Sequence, residues 1–134
     1  MTKKILLVDD DKLVLMTLKR LLTREGYKVT TALSDQGALR RMEENGFDLI
    51  ISDIKMPQMD GIETVKRIKD YLSQHNKNPI PEIFITAYAK EDIYQKALEL
   101  KAYGYIEKPF DVKTLVETVK KVMEERNHNR FRFN

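Results

Sequence analysis

The side chains with most chemistry to offer in this 134-residue chain each follow a short apolar run. Asp9, Asp10 and Asp11 come after Ile-Leu-Leu-Val, Asp53 after Leu-Ile-Ile-Ser, Thr86 after Ile-Phe-Ile, and Lys108 after Tyr-Ile-Glu. Carboxylates brought together repel one another unless a counter-charge arrives. A hard divalent cation held through oxygens answers that need, and Mg²⁺ is the cellular default, typically keeping one or two protein carboxylates plus waters or phosphate oxygens. Asp9, Asp10 and Asp53 are the candidate ligands, with the backbone carbonyl of Lys55 completing the shell. Lys108 adds a second positive charge, so an anionic group, most naturally a phosphoryl group, would meet the cation on one side and the ammonium on the other. Phosphoryl transfer asks mainly for positioning and charge neutralisation, and an Asp carboxylate can itself accept the group. Asp53 takes that role here, with Thr86 donating a hydroxyl to the phosphoryl oxygens and Ala87 leaving room for them.

Each residue also has a plainer role. Asp9 to Asp11 would cap a helix, Thr86 suits a strand by propensity, and Lys108-Pro109 reads as a solvated turn. What distinguishes the two readings is whether the fold brings the residues to one place. Lys4 to Val8 is a continuous apolar run, the mark of a strand buried on both faces of a parallel sheet. A helix follows with Val14, Leu18, Leu21 and Leu22 on one face, stopped at Gly26, while Leu13 and Met16 point away as a candidate partner-docking surface. Lys28 to Ala32 is a second strand. Ser34 caps a helix carrying Ala38, Leu39 and Met42, and Asn45-Gly46 ends it. Phe47 to Ser52 is the third strand, followed by the turn signals Pro57 and Asp60-Gly61.

Residues 61 to 75 repeat Ile62, Val65, Ile68 and Leu72 at helical spacing; Glu82 to Thr86 is a fourth strand, about Lys90 to Leu100 a fourth helix, and Tyr103 to Glu107 a fifth strand. Asp111 caps a last helix with Val112, Leu115, Val116, Val119, Val122 and Met123 in a stripe. Strict alternation predicts an α/β fold: a doubly wound, five-stranded parallel sheet of order 2-1-3-4-5, flavodoxin-like, with helices on both faces. In such sheets ligands lie beyond the carboxyl ends of the strands, where all the residues named above would then meet.

The composition narrows the alternatives. There is no Cys, which removes disulfide scaffolds and thiolate metal sites and suits a reducing compartment, so the expected location is the cytoplasm. The N-terminal apolar run is too short for a signal peptide or a membrane span. A net charge of +3 spread over 24 Lys and Arg on every helix describes a solvated surface rather than a nucleic-acid patch. His75 and His128 have no ligand or base partner nearby and are expected at the surface. No GxGxxG follows the first strand, and its loop is acidic rather than hydroxyl- and glycine-rich, which disfavours dinucleotide and flavin sites. An Mg²⁺-dependent phosphohydrolase of similar architecture is the competing reading.

VDDD at 8 to 11, SDIKMPQMDG at 52 to 61, ITA at 85 to 87 and YIEKPF at 105 to 110 together resemble the signatures of response-regulator receiver domains of two-component signalling. The resemblance implies a phosphorylation switch, not an enzyme with an external substrate: the domain takes a phosphoryl group, with Mg²⁺, from a sensor histidine kinase or phosphotransfer protein and loses it slowly. It makes Asp53 the phosphoacceptor, Asp9 and Asp10 the metal-binding acids, Thr86 the switch hydroxyl, Lys108 the phosphate-binding lysine and Tyr105 the aromatic that follows Thr86 by swinging inward. Lys55 and Tyr88 resemble positions that tune phosphoryl loss, with Tyr88 bulky enough to shield it. The Lys108-Pro109 bond is expected to be cis. Helix four, strand five and helix five are the implied output face, for a homodimer or an effector, with no direct contact to nucleic acid or membrane. Residues 1 to 126 are expected to form the receiver domain and 127 to 134 a tail or the start of a linker.

Overall fold

A computed structural model describes residues 2–56, 59–87 and 91–132. Its main sheet is built from β1 (Lys4–Val8), β2 (Lys28–Ala32), β3 (Leu49–Asp53), β6 (Glu82–Thr86) and β7 (Gly104–Glu107) in the order β2-β1-β3-β6-β7. All four pairings are parallel. Counting only these five strands, this is the 2-1-3-4-5 sheet expected from the alternation. A small addition was not expected: β4 (Lys55–Met56) and β5 (Met59–Asp60) pair antiparallel just after β3. Two-residue rungs are too short to leave a periodic signal.

The helices are α1 (Lys12–Arg24), α2 (Asp35–Glu44), α3 (Gly61–Gln74), α4 (Glu91–Glu99) and α5 (Val112–Arg132). Alternation along the strands divides the core in two. Leu6, Val8, Ile50 and Phe84 join Ala38, Met42, Val65, Ile68 and Ala97 of α2, α3 and α4, while Ile5, Leu7, Ile51, Ile83 and Ile85 join residues of α1 and α5. Full burial of such side chains contributes roughly 1.5–3 kcal/mol each. The α3 stripe Ile62, Val65, Ile68 and Leu72 is buried as its spacing predicts.

Two stripes are displaced from expectation. On α1 the buried residues are Leu15, Leu18 and Leu22, with Val14 only partly covered, because packing against α5 and the sheet selects among several adjacent apolar positions. On α5 Leu115, Val119, Val122 and Met123 are buried, but Val112 is 51% exposed at the first turn. Helix α5 continues to Arg132, so the segment from 127 is helical as far as that residue. No described helix is long and apolar enough to cross a membrane.

Candidate functional site

Asp9 follows β1, Asp53 ends β3, Thr86 ends β6 and Lys108 follows β7. Parallel pairing in register carries these strand ends to a single edge, and backbone bonds tie them: Ile54 N–H donates to Ile85 O at 3.0 Å, and Lys108 N–H to Thr86 O at 2.7 Å. The Lys108-Pro109 bond is cis, as the resemblance implies. Within this frame the Lys108 ammonium lies 3.0 Å from Asp53 Oδ2 and 3.7 Å from Asp9 Oδ2. Two carboxylates and one ammonium, all largely screened from solvent, therefore form the centre.

Asp9 is only 5% exposed. Its Oδ1 accepts the Asp11 N–H at 3.0 Å, which leaves Oδ2 to face Lys108. Burial pushes the Asp9 carboxyl up to about 6; the Asp11 amide and Lys108 oppose that rise, and the neighbouring Asp53 adds to it. Burial works against the Lys108 charge, yet Asp53 and then Asp9 outweigh it and hold the ammonium above its ordinary range. The last acid of the triplet, Asp11, is the α1 N-cap and accepts from Leu13 and Val14 N–H. Asp10 is exposed on the same loop.

The acceptor loop is shaped by backbone proximity. Gly61 N–H donates to Ile54 O at 2.7 Å, and a Cβ built on Gly61 would overlap the Asp53 carbonyl oxygen. Asp60 caps α3 by accepting from Ile62 and Glu63 N–H. Buried Ser52 donates its hydroxyl to Asp53 O at 3.0 Å, a support invisible in a strand-like serine. Lys55 opens β4, whose residues turn away from β3 to pair with β5. Pro57 and Tyr88 lie outside the described residues, as does the side chain of His128. His75 is exposed, as expected.

Among the described residues no cluster of at least three His, Cys, Asp or Glu side chains forms a ready-made metal site. The pair Asp9 and Asp53 nonetheless fits a hard cation: both donors are carboxylate oxygens, they share one counter-charge, and Mg²⁺ commonly uses only one or two carboxylates plus water and phosphate oxygens.

Thr86 is fully buried. Phe84 pairs with Tyr105, so by strand alternation Phe84, Thr86 and Tyr105 project toward the same half of the core. Tyr105 packs against the α3 and α4 side, and its hydroxyl is already shielded from solvent, with no hydrogen-bond partner among the described residues. The sequence expectation of an inward swing thus meets a ring whose hydroxyl starts covered. Its edge-on neighbour Tyr94 of α4, at a centroid distance of 5.1 Å, had no signal in the sequence, because the contact joins separate elements.

The sequence profile of the response regulator receiver domain matches residues 5–120. The chain is 37% identical over 123 residues to sporulation initiation phosphotransferase F of Bacillus subtilis (strain 168), covering 92% of this chain and 95% of that protein. It is 40% identical over 120 residues to the transcriptional regulatory protein ZraR of Klebsiella oxytoca, covering 89% of this chain but 26% of that longer protein. The crystal structure of a CheY-like receiver domain protein from Methanospirillum hungatei JF-1 superposes with a TM-score of 0.86 at 31% identity, covering 96% of this chain and 99% of that one.

Proposed function

This chain belongs to the response regulator receiver domain family of two-component signalling, and from that premise we propose that Asp53 accepts a phosphoryl group from a phosphohistidine donor. The observation that carries the proposal is Lys108, held 3.0 Å from Asp53 and 3.7 Å from Asp9 at the carboxyl edge of the sheet. In the transfer, an Asp53 carboxylate oxygen forms the bond to phosphorus as the bond to the donor's imidazole nitrogen breaks, and that nitrogen keeps the electron pair. Lys108, already poised on Asp53, follows the charge onto the phosphoryl oxygens. Thr86 supplies a hydroxyl from the neighbouring strand end. Asp9, with Asp10 and the Lys55 carbonyl, would hold Mg²⁺, which supplies charge neutralisation to the pocket.

The donor is a histidine kinase or phosphotransfer protein that must reach the open side of Lys108. An apolar groove there, lined by Leu13, Val14, Thr17, Leu21, Phe110 and Val112, supports docking along α1, where Leu13 is 72% and Met16 64% exposed. The output face is α4, β7 and α5, serving a second copy or an effector. Residues 1–126 are the receiver unit, and α5 runs on from it to Arg132.

Mixing the protein with Mg²⁺ and beryllofluoride or acetyl phosphate tests this reading. Wild type gains one equivalent of the label or analogue and Asp53→Ala gains none. Labelling that survives Asp53→Ala, or sustained turnover of an external phosphoester, overturns it in favour of another acceptor or a hydrolase.

A further inference from the structure

We infer that Tyr94 is a positioning residue that holds the Tyr105 ring in its partly buried place, and that α4 senses the site through this ring-to-ring contact. The inference rests on the proposed role of Asp53 only for its second half. The Tyr94 and Tyr105 rings meet nearly perpendicular, at 85° with centroids 5.1 Å apart, an edge-to-face arrangement that aromatic pairs prefer. Tyr105 needs such a restraint. Its hydroxyl is sealed from water with no hydrogen-bond partner among the described residues, so this position is opposed by a lost hydrogen bond and must be favoured by packing.

The packing on the inner side is Phe84, its register partner, and the core around Ala97 of α4. On the outer side the contact is Tyr94, itself 44% exposed, three residues before Ala97 on the same helix. A ring leaving this slot must displace the Tyr94 edge or move α4. Because Thr86 and Tyr105 share one half of the core, a change at Thr86 reaches α4 through the same two rings.

The test uses ring-labelled tyrosine in wild type, Tyr94→Ala and Tyr94→Phe, with Tyr105 assigned from Tyr105→Phe. In the free protein, Tyr94→Ala should bring the Tyr105 ring to a solvent-exposed shift with at least a twofold gain in relaxation from a soluble paramagnet. Tyr94→Phe, which keeps the ring, should match wild type. With Mg²⁺ and beryllofluoride, the analogue should still bind at Asp53 in all three, while the α4 amide shifts fall by half or more in Tyr94→Ala alone.

A Tyr105 ring unchanged in Tyr94→Ala overturns the inference, as does Tyr94→Phe behaving like Tyr94→Ala. Normal α4 shifts in Tyr94→Ala overturn the sensing role. Absence of beryllofluoride binding in wild type sinks the Asp53 reading instead and the sensing role with it, while the free-protein comparison still decides whether Tyr94 holds Tyr105.

Discussion

With Asp53 at 3.0 Å and Asp9 at 3.7 Å, Lys108 answers one negative charge well and a second only in part, and the cost falls on the more buried acid. Asp9 has an ordinary value of 3.8 and is raised to about 6 in the folded chain. The folded state then binds the proton more tightly than the unfolded one, so this group's contribution to stability is full below pH 3.8 and is lost as pH rises through about 6. A shift from 3.8 to about 6 corresponds to on the order of 2–3 kcal/mol. Asp9→Asn, measured by urea unfolding in chelator, should therefore stabilise the protein clearly at pH 7.5 and little at pH 4; equal effects at both would remove the explanation. Gly61 makes the second demand at this scale. Gly61→Ala forces a methyl into the Asp53 carbonyl and should cost about 1–3 kcal/mol or more in the same measurement, with slower phosphoryl uptake. An unchanged unfolding midpoint would show that the loop yields freely.

At the scale of elements, the end of the sheet opposite the site carries an unexpected charge. Glu82 opens β6 fully buried; Lys69 of α3 lies 3.1 Å from its Oε1, yet among the described residues neither carboxylate oxygen has a well-aligned hydrogen-bond donor. Burial raises this carboxyl above its usual range, with Lys69 only partly compensating. Buried ion pairs of this quality are often worth less than apolar packing. Glu82→Leu is expected to be neutral or to stabilise by up to about 4 kcal/mol, read from the denaturant midpoint, whereas a loss above about 2 kcal/mol would mean that the pair earns its place. The sequence placed Glu82 in a strand but gave no sign of its burial, since a charge at a strand start ordinarily points to water. The helix stripes show the same limit. Val14 and Leu15 are both apolar, and only the tertiary partners decide which one faces inward, while Val112 sits at a helix end where the stripe has nothing to cover. What was legible was what depends on chain direction and alternation: the strand order, the carboxyl-edge gathering of Asp9, Asp53, Thr86 and Lys108, and the α3 stripe. What depends on contacts between distant segments, such as Tyr94 with Tyr105 or Ser52 with the Asp53 carbonyl, was not.

At the scale of the whole molecule, donor docking along α1 and the Tyr105 contact with α4 lie in different halves of the core, while α5 of the output face shares the α1 half. The groove along α1 opens beside Lys108, whereas Tyr105 reports to α4 across the sheet. Beryllofluoride should therefore shift amides of α4 and β7 well beyond the pocket, and leave the remote ends of α1 and α2 nearly still. Shifts confined to the loops after β1, β3 and β6 would mean that no output surface responds. The divided core gives this separation its deeper meaning. Because alternate strand positions feed two separate clusters among the described residues, the sheet is a board with one set of parts on each side. Substitutions that remodel the α1 and α5 side need no matching change under α3 and α4, since sites without shared neighbours act additively. Such a domain can exchange the donor it listens to along α1 while keeping, under α4, the Thr86 and Tyr105 device by which it answers.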